Sequence, residues 1–376
     1  MPQASASSES PLLGLAAGLA AGLVGAFAMT EFQAALARGK ITSGVKGRPA
    51  TEKAANRLSK LATGRHIGRT RRSAAGEAVH YAVGSLVGGL YGLAAERLPQ
   101  VTAGRGAAFG AVAATVVDET LVPATGLGDP FWKAPARSHP YSYASHLVFG
   151  TSTEATRKAL RGFLGDVQAG ARVVREGTPP AQPLDTTGPG RWRTFGLAFL
   201  LGATAGPRTS APLTAVTWAA RLGWIDLKGS PLAWLASPKA ATVVTPLAIG
   251  ELVADKLPAT PDRTEPVGVV ARAASGAVSG AALTGGRSLP AALAGVAGAL
   301  AATYVGHTLR TRLSRSLGRD WPVAGAEDLL AFGGAAMVCL AAMAPTAQPP
   351  RRRKVRAGVD WVNPYADDAS RMEVHP

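Results

Sequence analysis

The chain has 376 residues, of which only 17% are charged, while 45 are Gly. Soluble domains carry about 25% charged residues, so this balance excludes an ordinary water-soluble globule and fits small-residue membrane helices. The net charge of +16 sits beside apolar runs without any nucleic-acid-reading motif, which argues against a nucleic-acid partner, and the single cysteine, Cys339, excludes an internal disulfide framework.

Residues 1–10 are Ser-rich and free of Lys and Arg, the composition of a disordered lead. The first apolar run is Pro11 to Ala37, with Glu31 near its end. Its Ala26-Phe27-Ala28 resembles a signal-peptidase site, but no basic segment precedes it, so the run reads as a retained span. Gly14, Gly18 and Gly22 recur every four residues, a glycine-zipper spacing that lets another backbone approach and would serve a homo-oligomer.

Residues 38–72 hold eleven Lys/Arg against one acid, Glu52. Within them Thr51 to Leu61 has the pattern of an amphipathic helix on an anionic lipid surface. The second run, Ser73 to Glu96, repeats the glycine spacing at Gly84, Gly88 and Gly92 and places Glu77 and His80 on one early face. Arg105 to Ala124 carries Asp118 and Glu119, and after a Pro/Gly-rich loop Tyr141 to Leu164 carries His146 and Glu154. Residues 165–192, with TPPAQP and TTGPG, read as a linker between a domain at 11–164 and a second at 193–345.

The second domain opens with an apolar run from Arg193 to Ile225, broken at Pro207 and Arg208. Two readings stay open there, a pair of half-length helices with free ends at membrane depth or one kinked span. Lys239 to Leu257 follows, carrying Glu251, Asp255 and Lys256 in an otherwise apolar helix. Glu251 and Asp255 are four apart and share a face that is expensive to show to lipid. Arg208 at the break and Arg272 in the next run, Pro266 to Leu283, are the candidate cations, and a guanidinium bridging from Arg208 to Glu251 is the expected pair. Leu289 to Leu309 and Val323 to Met343, the latter with Glu327 and Asp328, complete the spans, and 346–376 is a soluble tail with five Lys/Arg between Arg351 and Arg356.

The expectation is therefore an all-α, polytopic helical membrane protein with eight or nine Gly/Ala-rich transmembrane helices in two bundles. The basic segment at 38–72 and the basic tail place the C-terminus in the cytoplasm and the N-terminus outside. Arg157, Lys158, Arg161, Arg172 and Arg175 fall on the wrong side of that scheme, and a re-entrant segment within 123–165 would reconcile them. Ala95 to Pro99 (AERLP) echoes Ala254 to Pro258 (ADKLP), the kind of internal likeness that repeated halves of transporters leave.

Three stretches, HYAVGSLVGGLYGLAAE, FGAVAATVVDETLVPATGLG and SHLVFGTSTEATRK, give residues 12–163 a resemblance to the YagU family of bacterial inner-membrane proteins. The likeness is carried by His80, the Pro123/Gly126 turn, His146 and Glu154. It implies a multi-pass protein of the bacterial cytoplasmic membrane, in a family linked to acid tolerance. Residues 193–344 resemble a bacterial membrane family known only as a domain of unknown function, through AGPRTSAPL, ARLGWI, SPLAWLASP, ELVADKLP and the Glu327-Asp328 pair. Neither likeness brings a cofactor or a catalytic residue.

The residues themselves agree in lacking a phosphate-binding glycine loop or a Gly-x-Ser-x-Gly nucleophile turn. Glu77-x-x-His80 is half of a di-iron carboxylate pattern, but no second copy exists, so no metal is expected and the protein is not read as an enzyme. The remaining reading is a path for protons or small cations. Its candidate binding groups are Glu31, Glu77, His80, Asp118, Glu119, His146, Glu154, Glu251 and Asp255, with Arg208, Lys256 and Arg272 as structural charge partners. The alternative is a scaffold for lipids or partners whose intramembrane charges only pair. Five acids and two His without a central Lys or Arg in the first domain's spans tilt the balance toward a titratable site. Cysteines placed at Ser5 and Ala357 in a Cys339→Ala background should react with an impermeant reagent from opposite sides of the membrane; labelling of both from one side overturns the topology.

Overall fold

A computed structural model of the chain describes residues 10–39, 49–177, 183–254, 264–317 and 321–345. Among them every regular element is helical. The first half contains α1 (Pro11–Arg38), α2 (Ala50–Thr63), α3 (Arg72–Ala95), α4 (Ala107–Ala113) running through a π-helical segment (Ala114–Leu121) into the short turn α5 (Val122–Ala124), and α6 (Ser138–Arg175). The second half contains α7 (Arg191–Ala203), α8 (Ala211–Arg221), α9 (Pro238–Ala254), α10 (Pro266–Ala282), α11 (Leu289–Leu317) and α12 (Trp321–Ala342). Proline opens α1, α8 and α10, where its missing N–H is one the helix start leaves unused anyway.

Many large apolar side chains lie on the outside of the bundle, and some polar ones lie inside. Leu86, Leu90, Val243, Leu247, Val270, Val305, Leu329 and Leu330 are exposed, while Arg208 is 1% exposed and Thr153, Thr217 and Thr303 are buried. Large apolar groups on the outside and small residues between the helices suit hydrocarbon surroundings, where small residues let helices close. Five stretches are long and apolar enough to cross a membrane: Pro11–Arg38, Arg69–Ala95, Pro99–Ala124, Leu289–Thr311 and Val323–Ala342. This fits an integral membrane protein. Of the other expected spans, α7 and α8 are half-length pieces of 13 and 11 residues, and α9 and α10 have 17 residues each within the described part.

In the first half α1 lies against α3 and α6. A Cβ added at Gly18 would run into the Gly88 carbonyl, one at Gly22 into the Gly84 carbonyl, and one at Gly92 into the Gly14 carbonyl. The two glycine faces thus meet each other inside one chain, rather than standing free for a second copy. In the second half α10 and α11 close on each other through Gly276, Gly280 and Gly295, and Gly202 of α7 meets the same Gly295 carbonyl. Around them Leu201, Val216, Leu235 and Cys339 form a buried core.

The polar stretch expected to be a linker is helical as far as Arg175, because α6 continues past the apolar run that begins it. Its Phe163 and Val167 pack on the core of the second half, Gly170 meets the Leu340 carbonyl of α12, and Asp166 Oδ2 accepts from Arg193 Nε at 2.7 Å. Beyond the helix, Leu184 N–H donates to Leu283 O at 3.0 Å. Asp185 then takes the Thr187 amide and hydroxyl, both at 2.8 Å, and the Thr187 amide above all holds its carboxyl below the usual carboxylate range. Described residues on both sides of the expected boundary therefore belong to one compact unit. Gly88→Val should lower the melting temperature in detergent strongly, since its branches meet facing backbone that has no rotamer to yield, at a cost of at least ~1–3 kcal/mol. Gly196→Ala, with no atom near its added Cβ, should leave melting unchanged or raise it.

Candidate functional site

The half-helix reading of the break is the one the structure adopts. α7 stops at Ala203 and α8 starts at Ala211, with Thr204-Ala205-Gly206-Pro207-Arg208-Thr209-Ser210 between them. A helix end leaves C=O groups and a helix start leaves N–H groups without intrahelical partners, and at membrane depth each must find another. Arg272 Nε of α10 donates to Gly206 O at 3.1 Å, and Ser275 Oγ, one turn on, donates to Thr209 O at 2.6 Å. On the other side, Thr209 N–H and Ser210 N–H donate to the two carboxylate oxygens of Glu251 at 2.7 and 2.8 Å, and the Ser210 hydroxyl adds a third donor. The signs match the helix dipoles: a guanidinium lies where α7 ends and a carboxylate where α8 begins.

Arg208 stands at the centre of the break. Its Nε donates to Asp328 Oδ1 of α12 at 2.6 Å and its Nη1 to Pro207 O at 3.1 Å. The expected bridge from Arg208 to Glu251 is therefore replaced: Arg208 ion-pairs with Asp328, and Glu251 serves the start of α8. A backbone that breaks frees two amides next to Glu251, and those amides outcompete a side-chain cation for its oxygens. Glu327, beside Asp328, takes Arg310 Nη1 at 3.0 Å. Asp255 and Lys256 lie outside the described residues.

A second buried cluster joins α3 and α6. Glu154 accepts from Tyr91 Oη at 2.8 Å and from Arg157 Nε and Nη2 at 2.7 and 3.0 Å, while Glu96 accepts from Arg161 Nε and Nη2 at 2.8 and 3.1 Å. Arg157 is 8% exposed, with its guanidinium 5.7 Å from the centre of the Tyr91 ring. This corrects the count of an acid surplus, because Arg157 and Arg161, inside the run from Tyr141 to Leu164, lie on the packed side of α6 and pair with Glu154 and Glu96. The signal was available in Glu154 and Arg157, three apart on one face.

A third set lines the meeting of the π-helical segment with the start of α6. The Ser142 hydroxyl donates to Asp118 Oδ2, His146 Nδ1 lies 3.7 Å from the same oxygen, and His139 Nδ1 lies 2.7 Å from Glu119 Oε1. The hydrogen bond to Glu119 holds the His139 imidazole above its ordinary value. A π-helical stretch spreads one turn over more residues, which lets the adjacent Asp118 and Glu119 both reach α6. His80 stands apart, its Nε2 3.2 Å from Ala26 O, which fixes that nitrogen as the protonated one. Glu77 is exposed, and Glu31 makes an exposed contact of 3.9 Å with Arg38. Glu77 and His80 are thus not gathered with Asp118, Glu119, His146 and Glu154, and no group of three His, Cys, Asp or Glu able to hold a metal ion occurs among the described residues.

These features define an all-helical membrane protein whose second half is built round a charged helix break. A family model described as "Domain of unknown function (DUF4126)" matches residues 195–348, which takes in the break, Glu251, Arg272 and Asp328. No curated protein and no solved structure matches the chain. For residues 12–163 the likeness to YagU rests on the sequence motifs alone. Replacing one partner of the central pair, by Arg208→Gln or Asp328→Asn, should cost about 3–5 kcal/mol by stranding a buried charge. The double variant should lose less than the sum in a melting assay; strict additivity means that the pair does not support the fold.

Proposed function

We propose that the protein passes protons or small cations across the bacterial cytoplasmic membrane, with the helix break of the second half as its site and Glu251 as the exchanging group. One observation carries the reading. Glu96, Glu154, Glu327 and Asp328 each lie against an arginine, whereas Glu251 is held by two backbone amides and a hydroxyl. A carboxylate bound by neutral donors can take up a proton or a cation without abandoning a buried counter-charge. Half-helices facing one another at mid-membrane are also how many transporters present dipole ends to small ions.

The scaffold reading draws its support from the first half, where Tyr91 with Glu154 and Glu96 with Arg161 join α3 and its end to α6, and Arg157 pairs with Glu154 along α6. We assign those pairs a structural role, and leave the Asp118–His146 and Glu119–His139 contacts as the first half's contribution to proton exchange. No chemical transformation enters this reading, and the orientation keeps the N-terminus outside and the C-terminus in the cytoplasm.

Liposomes holding the purified chain and a pH-sensitive dye should dissipate an imposed proton or cation gradient faster than empty liposomes. Glu251→Gln should reduce that flux at least tenfold while retaining a cooperative melting transition. Absence of flux for protons and for every cation of a panel overturns the proposal, and unchanged flux in Glu251→Gln removes the break from it.

A further inference from the structure

The basic surface of α2 is organised into a cleft, and the function proposed above does not use it. The cleft has a volume of about 320 Å³ and is lined by Lys53, Arg57, Lys60, His66 and Arg72, with Glu52 the single acid. Its cationic heads are held in place by neutral groups. Lys53 Nζ donates to Leu127 O at 2.9 Å, Arg57 Nη1 to Thr125 O, and Arg72 Nε to Ile67 O at 3.0 Å. None of Lys53, Arg57, Lys60 and Arg72 has a carboxylate within salt-bridge distance among the described residues. An ammonium has three donors and a guanidinium five, so these anchors leave most of the donors, and all of the charge, facing the cleft. Asn56 sets the remaining wall: its Oδ1 accepts from Ile67 N–H at 3.0 Å, which turns its amide nitrogen to His66 Nδ1 at 3.0 Å and leaves Nε2 of that ring as a further donor.

The turn that receives Lys53 and Arg57 is the Pro123/Gly126 stretch that stood out in the sequence. Gly126 adopts φ +67°, a left-handed conformation that bends the chain so that the Thr125 and Leu127 carbonyls both face α2. The turn directly follows the candidate span Pro99–Ala124, and Arg72 lies near the start of the candidate span Arg69–Ala95. The cleft therefore sits where two apolar helices end together. Leu58 and Leu61 of α2 are 57% and 80% exposed, and Trp132, a few residues past the turn, is 70% exposed. Exposed Leu and Trp next to basic heads are what an element lying at the headgroup level presents.

We propose that this cleft binds the phosphate of an anionic lipid headgroup at the face of the membrane where α3 begins. The cationic heads would share the phosphate oxygens, with the guanidinium of Arg57 and the ammonium of Lys60 the groups not tied to each other by any third residue. The lipid's chains would run down beside Leu58 and Leu61. Because Lys53 and Arg57 also hold the turn after the third candidate span, an occupied cleft would pin α2 to that turn.

The test is lipid binding to the full chain in detergent, followed by native mass spectrometry, with dioleoyl phosphatidylglycerol, dioleoyl phosphatidylcholine and inorganic phosphate as separate probes. Phosphatidylglycerol should bind more tightly than phosphatidylcholine. Arg57→Gln with Lys60→Gln should weaken it about 30-fold, from roughly fivefold per surface charge. Arg221→Gln with Lys228→Gln, which removes the same charge from exposed positions elsewhere, should leave the affinity within twofold. Lys60→Gln alone, at an exposed side chain with no hydrogen bond to lose, keeps the test valid should the double variant fail to fold, and should weaken binding about fivefold. Equal binding of phosphatidylglycerol to the wild type and both double variants overturns the site. Inorganic phosphate binding with the same losses, while phosphatidylglycerol does not, keeps the anion site and overturns the lipid as its source.

Discussion

The second half depends on the satisfaction of backbone groups where a helix is cut inside a buried packing. Between Ala203 and Ala211 the ladder of intrahelical hydrogen bonds stops, and each orphaned group is costly when buried. The chain meets the demand with side chains from two other helices, Glu251 of α9 on the amides and Arg272 and Ser275 of α10 on the carbonyls. Arg208 then fastens the same loop to α12 through Asp328. Charges that look prohibitive one at a time are thus the least costly way to close a broken backbone. They also force α9, α10 and α12 to converge on one point.

The first half handles charge differently. There α1, α3 and α6 are continuous helices whose backbone groups are satisfied internally, and the buried ions must answer to one another. Glu154 meets Arg157 on its own helix and Tyr91 on α3, so the ion pair sits in a frame that fixes both partners. The glycine faces of α1 and α3 bring those two helices together, since no Cβ separates the backbones. Because α1 lies against both α3 and α6, the glycine seam and the charge cluster involve the same three helices.

Much of this was legible in the sequence, and the misses share a cause. Apolar runs and proline positions announced the helices because hydrophobic length and missing N–H groups act locally. Pro207 and Arg208 announced a break for the same reason, though not whether the helix would kink or stop. What the sequence could not give was the partner of each charge. Glu251 was paired on paper with the nearest strong cation, yet the break that places Arg208 nearby also frees the Thr209 and Ser210 amides, and only the folded loop shows that they reach the carboxylate first. In the same way hydropathy ends a span near Leu164, while α6 runs on to Arg175 because its Phe163, Val167 and Gly170 pack against the second half. Composition reports what a segment would do in lipid, and it is silent about a helix whose far end is sheltered by another bundle.

That helix has a mechanical consequence. At 38 residues and 1.5 Å per residue α6 is about 57 Å long, nearly twice the ~30 Å hydrocarbon thickness. A rod of that length cannot stand upright within the bilayer, so it must lean or protrude. It touches α1 and α4 along its first part and α12 farther on. One continuous rod therefore joins the packing of both halves, and whatever tilts α6 is felt where its Gly170 meets Leu340 of α12.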